Sequence, residues 1–122
     1  CSTAVGYLNP IKKRGNLKII TNAHVKKINF QNKIAKEVEY WQDNEVKKLV
    51  VNREIILSSG SIGSPQILQT SGIGNANKLN NLGIEVVQEL KGVGENLQDH
   101  LMFRPIYKAV SYTHLRAHET SH

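Results

Sequence analysis

The apolar residues of this chain change period along its length. Residues 17–30 predict a long strand, since Ile20, Val25, Ile28 and Phe30 are β-formers and the later part alternates loosely with polar residues. Gln31-Asn32-Lys33 predicts a turn, and residues 34–41 a second strand with Val38 and Tyr40 on one face. Asp43-Asn44-Glu45 predicts another turn, and residues 46–57 a third strand whose pattern breaks near Asn52-Arg53. Three strands joined by short polar turns make an antiparallel meander. At Ile55-Ile56-Leu57 the alternation gives way to a continuous apolar run. Strands covered on both faces read this way, so this end of the meander is expected to enter a buried parallel sheet.

The pattern then turns helical. Ser64 is expected to cap a helix over residues 64–71, with Pro65 in the first turn, where a missing N–H costs nothing. Gly72 is expected to end it in the left-handed conformation. Ala76, Leu79 and Leu82 recur at helical spacing and predict a short second helix over residues 75–82, closed by Gly83. Residues 84–90 read as a short strand, 92–100 as a polar loop, and 101–108 as a strand that Pro105 confines to an edge. Residues 2–15 are expected to be irregular, because Pro10 and Gly15 interrupt any repeat. The fold class expected is α/β, or α+β for the piece in hand: a meander, short helices, and a strand that runs through Ser58-Ser59-Gly60 into a helix. Nucleotide-binding folds bring backbone close to a cofactor at such a junction.

Composition narrows the picture modestly. With 122 residues the chain has the length of one small domain, able to bury about two-thirds of its unfolded surface. The net charge of +6 raises an alternative reading, a small basic module that binds nucleic acid or other anionic partners. The lysines are scattered in short clusters, however, and no aromatics are interleaved with them as stacking platforms. Nucleic acid is therefore not the expected partner. One cysteine excludes an internal disulfide and fits a reducing compartment. The location stays open, with a cytoplasmic or membrane-associated one favoured over a secreted one. No apolar run approaches transmembrane length.

Two blocks resemble the glucose–methanol–choline (GMC) flavoprotein oxidoreductases. Gly60 and Ser61, then Ser64-Pro65, Ile67-Leu68 and Ser71-Gly72-Ile73-Gly74, follow the order and spacing of that family's second signature. Gly92-Val93-Gly94-Glu95-Asn96-Leu97-Gln98-Asp99-His100 is similar to its GVGxNLQDH segment. Gly6-Tyr7-Leu8-Asn9-Pro10 and Asn16-Leu17 resemble its run into the meander. Two positions depart from the pattern: Lys36 stands where glycine is usual, and Lys91 where proline is usual.

The resemblance implies part of a Rossmann-like FAD-binding domain over residues 1–109, inside a longer enzyme. It implies FAD as cofactor and a primary, choline-like alcohol as the small-molecule substrate, which gives a hydride to the flavin. The electron acceptor stays open. Val25 sits where the family's T-x-A-x-V pattern places a valine whose backbone pairs with adenine. Ser59 and Gly60 occupy the small-residue–glycine pair near the adenosine or pyrophosphate. Each also has a plainer reading, Val25 as a half-buried strand residue and Gly60 as a turn glycine with no ligand. The chain lacks GxGxxG, and the family's catalytic histidine comes later, so no catalytic base is assigned here and the chain alone is expected to be inactive. Asp99 and His100 face opposite ways if extended, and are expected to hold a loop near the flavin. His24 is expected to be an ordinary strand histidine. Residues 110–122 leave the family pattern and resemble translated adapter sequence, so they are expected to be a non-native tail. Its His114, His118 and His122 are spaced four apart, as helix-borne metal ligands would be, but no metal site is expected there.

Overall fold

The computed structural model describes residues 2–106. The tail, with its three histidines, and the end of the last expected strand lie outside the described residues. The expected mixed α/β architecture is present. Strands β1 (His24–Gln31), β2 (Ile34–Gln42) and β3 (Glu45–Val50) form an antiparallel sheet in that order. Both turns fall where polar pairs predicted them. Asn32 and Lys33 have φ of 50° and 63°, Asp43 and Asn44 of 54° and 60°. Two successive left-handed residues match the right-handed twist of the strands they join. The β1–β2 ladder slips between Val25 and Lys27 and again between Asn29 and Phe30, so two bulges offset one another. The second falls at Lys36, whose φ is not positive, so a lysine serves where the resemblance expects glycine.

The first strand starts at His24, not at residue 17, because β2 has no residues left to pair with an earlier start. His24 lies opposite Trp41, and the chain turns at Asp43. Beyond it, only the Gln42 side chain reaches across, donating to the Thr21 carbonyl at 3.0 Å. The third strand likewise stops at Val50. The expected entry of residues 55–57 into a parallel sheet is not seen: they pair with no strand among the described residues, and Ile56 is 79% exposed. Ile55 and Leu57 instead turn toward Val25, Ile28, Val38 and Ile67 and close an apolar seam under the sheet.

The first long helix, α1 (Gly60–Thr70), begins earlier than Ser64. Gly60 has a φ of +81°, and with Ser59 it makes the entry turn without a side-chain cap. Ser64 therefore lies inside the helix. Its hydroxyl reaches back to accept the Ser59 N–H at 3.0 Å. Pro65 is interior too and removes one rung of helical bonding. The stop falls where expected. Gly72 has a φ of +86°, and a Cβ there would lie 2.4 Å from the Glu85 carbonyl oxygen.

After Gly72 comes a small crossover that the sequence only half reveals. Strand β4 (Ile73–Gly74), unforeseen, pairs parallel with β5 (Gln88–Glu89), the remnant of the strand expected over residues 84–90. Helix α2 (Ala76–Asn81) joins them. Asn75 caps it by accepting the Lys78 N–H at 3.1 Å. Residues 2–15 are less irregular than expected: Ala4–Leu8 forms a π-helical turn and Asn9–Ile11 a 3₁₀ turn, with Pro10 near its start. The edge strand expected from residue 101 does not form over residues 101–106, where Leu101 and Ile106 are almost fully exposed. The buried centre is small. Among the described residues, Ile28 and Leu79 are its apolar members, and Glu39 and Ser71 are buried with them.

Candidate functional site: a cleft between sheet and helix

Strand β1 has β2 on one edge and α1 on the other. The helix is stitched to that outer edge by hydroxyls. Thr70 Oγ1 donates to the Lys26 carbonyl at 3.0 Å, and Ser71 Oγ accepts the Ile28 N–H at 2.8 Å. A cleft of about 470 Å³ lies beside this seam. Its sheet wall includes His24, Val25, Lys26 and Trp41, and its helix wall includes Ser59 and Gly63.

Charge in the cleft is arranged around Lys26. Its ammonium lies 2.9 Å from Glu39 Oε1 and 5.9 Å from the centre of the Trp41 ring. The hydrogen bond from Lys26 holds the Glu39 carboxyl below its ordinary pKa, against the upward push of burial. A carboxylate that keeps its charge while buried is a firm anchor for the lysine.

Of the residues singled out from sequence, Val25 and Ser59 come together on opposite walls of this cleft. Gly60 follows Ser59 as the first residue of α1 and is not on the wall itself; a Cβ there would meet nothing within 4 Å. His24 is exposed and faces the cleft. Asp99 and His100 are exposed and far from forming a proton relay: Asp99 Oδ1 accepts the His100 backbone N–H at 2.7 Å, a purely local bond. The loop before them is tied to α1 and α2. Gln69 Nε2 donates to the Val93 carbonyl at 3.1 Å, and Lys78 pairs closely with Glu95. Sequence reasoning missed Trp41, Lys26 and Glu39. The signal was the turn at Asn32-Lys33, which fixes the register that puts Trp41 opposite His24.

The residues present fit an adenosine moiety. The volume lies within the range of small-molecule sites, about 300–1,000 Å³. The walls mix apolar faces with backbone polar groups, and Gly60 keeps the turn into α1 clear of side chains.

Residues 1–102 match the family model described as GMC oxidoreductase. The chain belongs to the GMC oxidoreductase family. The resemblance drawn from the two sequence blocks is thereby borne out. Similar proteins include an oxygen-dependent choline dehydrogenase of Chromohalobacter salexigens, 54% identical over 100 residues, which cover 82% of this chain and 18% of that protein. Another is the oxygen-dependent choline dehydrogenase of Acinetobacter baumannii, 49% identical over 110 residues, covering 88% of this chain and 20% of that one. Among solved structures, an FAD-dependent oxidoreductase from Chaetomium thermophilum matches with a TM-score of 0.76 at 39% identity, covering 79% of this chain and 17% of its own. The chain thus spans about a fifth of the length of the curated relatives it matches.

Lys26, Lys47, Lys48 and Lys78 each pair with a carboxylate. No helix among the described residues is long and apolar enough to cross a membrane. No group of three or more His, Cys, Asp or Glu among the described residues is placed to hold a metal ion.

Proposed function

We propose that this chain supplies the adenosine-binding wall of an FAD-dependent alcohol oxidoreductase acting on choline or a similar primary alcohol. The observation that carries the reading is the cleft in which Val25 and Ser59 face one another, inside a segment whose relatives are named choline dehydrogenases. FAD, when bound, supplies the acceptor for a hydride leaving the alcohol carbon. The chain's own part is placement. The backbone of Val25 on β1 offers hydrogen-bonding groups to a purine edge, which needs no special side chain. Ser59 and Gly60 let the ribose or pyrophosphate approach the start of α1, where N–H groups are free of helical partners. The loop through Gly94 and Glu95 is tied back to α1 and α2 by the Gln69–Val93 hydrogen bond and the Lys78–Glu95 pair. No residue of the segment is assigned the removal of the alcohol proton. Residues 1–109 form the family segment in this reading and 110–122 stand apart from it.

The test is anaerobic addition of choline to the FAD-loaded protein that contains this segment. Bleaching of the flavin's visible absorption is expected. A flavin that stays oxidised with choline and with simple primary alcohols would remove the substrate assignment.

A further inference from the structure

Trp41 is the one tryptophan of the chain. It lies on a cleft wall, directly across the ladder from His24, and is 44% exposed. Large aromatic side chains bury much of their surface unless another surface is meant to cover it. The residue is not loose. Lys26 sits over the ring at 5.9 Å, and Lys26 is itself anchored on the buried carboxylate of Glu39 at 2.9 Å. An exposed indole is thus held by a cation that a buried anion keeps in place. Such a ring is ready to stack with a flat aromatic ligand without first being ordered.

We propose that Trp41 is the stacking wall for the purine base in this cleft, with Lys26 as a positioning residue that fixes the indole. The inference rests on the adenosine reading given above and adds the contact that recognises the base. Val25 can offer backbone groups to the edge of a purine, and the indole offers a face. Stacking of this kind accepts any flat base, while the backbone edge selects among them.

A lone tryptophan makes the test direct, because intrinsic fluorescence reports a single place. ADP carries the adenosine end without the flavin ring, so it quenches only by contact at the cleft. Titration of the full chain with ADP should quench emission saturably, and pyrophosphate alone should not. By calorimetry, Trp41→Leu should weaken ADP about tenfold and Trp41→Phe far less. Lys26→Met should lower the quenching amplitude, with Lys26→Arg restoring it. Trp41→Leu keeps an apolar, strand-compatible side chain, and an unchanged circular dichroism spectrum would establish that it folds. Should Trp41→Leu fold poorly, Trp41→Tyr provides the comparison, with near-wild-type affinity expected. ADP affinity unchanged in folded Trp41→Leu, or weakened as much by Phe or Tyr as by Leu, overturns the stacking role and leaves the adenosine cleft standing. Absence of any ADP or FAD binding by the wild-type chain overturns both.

Discussion

The hydroxyl of Ser71 accepts the backbone N–H of Ile28 at 2.8 Å and donates to the carbonyl of Ile67 at 2.5 Å. One side chain thereby satisfies a strand edge and a helix end together. Ile28 and Ser71 are among the few buried residues, so water cannot replace the bond cheaply. Ser71→Ala would leave the Ile28 N–H buried and unpaired, a loss of about 1–3 kcal/mol. The midpoint of urea unfolding should fall accordingly. Thr70→Val removes a bond at an exposed hydroxyl and should cost less, about 0.5–1.5 kcal/mol. Equal losses for the two variants would mean that the Ser71 relay has no special place in the core.

Gly72 and Gly60 separate two penalties that usually come together. Both have positive φ, +86° and +81°, but only Gly72 faces a wall, with Glu85 O 2.4 Å from a would-be Cβ. Gly60→Ala should cost only the left-handed backbone penalty, about 1–2 kcal/mol. Gly72→Ala should cost clearly more and should also part β4 from β5. The Gly72 carbonyl accepts the N–H groups of Val87 and Gln88, at 2.8 and 3.2 Å. Hydrogen exchange at those two amides should therefore accelerate in Gly72→Ala and stay as in wild type in Gly60→Ala.

These two glycines also mark the limit of what the sequence could reveal. The stop at Gly72 was legible, since a glycine after an apolar helical repeat is a strong signal. The start was not. Ser64-Pro65 has the residue types of a helix opening, whereas the actual entry at Ser59-Gly60 uses backbone conformation and no side-chain cap. The turns at Asn32-Lys33 and Asp43-Asn44 were legible because polar pairs between β-formers have few other uses. Strand β4 was not, because it is two residues long and exists through its pairing with β5 beside Gly72; β5 was foreseen as a strand, but over residues 84–90 and not as the two residues that pair. Residues 55–57 carry the pattern of a buried strand, but no neighbouring strand lies among the described residues to realise it. At the site, Val25, Ser59 and Gly60 were reached through the family resemblance. Trp41 follows from the register that the turn at Asn32-Lys33 sets, whereas the place of Lys26 depends on the bulge between Val25 and Lys27, which no local pattern encodes.

Glu39 gives the fold a pH dependence with a definite sign. Its carboxyl is held below the ordinary value of 4.5, first by the hydrogen bond from Lys26. A carboxylate with a depressed pKa in the folded state adds stability that is fully present above its unfolded pKa. That stability is lost as pH falls through the folded one. The wild-type chain should therefore lose thermal stability as pH drops below about 4.5, and Glu39→Gln should lose less over the same interval. Glu39→Gln should also be the less stable protein at neutral pH, because Lys26 keeps its charge and loses its partner. Parallel melting-temperature curves for the two proteins between neutral and acid pH would contradict the assignment. The Trp41 emission offers a second readout, since releasing Lys26 from Glu39 should change the setting of the indole.

The turn between β2 and β3 leaves room for improvement. Asp43 and Asn44 both adopt left-handed backbone, at φ of 54° and 60°. Asparagine tolerates this region better than most residues, but glycine occupies it without a Cβ clash. Asp-Gly is a strongly favoured pair for a two-residue hairpin of this twist. Asp43 should keep its place, because its carboxylate accepts from Lys47 Nζ at 3.0 Å across the turn. Asn44→Gly should then stabilise the chain by a few tenths to about 1 kcal/mol, the greater freedom of glycine in the unfolded chain offsetting part of the gain. The gain should appear as a higher urea midpoint with an unchanged slope, since the surface exposed on unfolding stays the same. A lower midpoint would mean that the Asn44 side chain makes a contribution to the turn that outweighs its backbone strain.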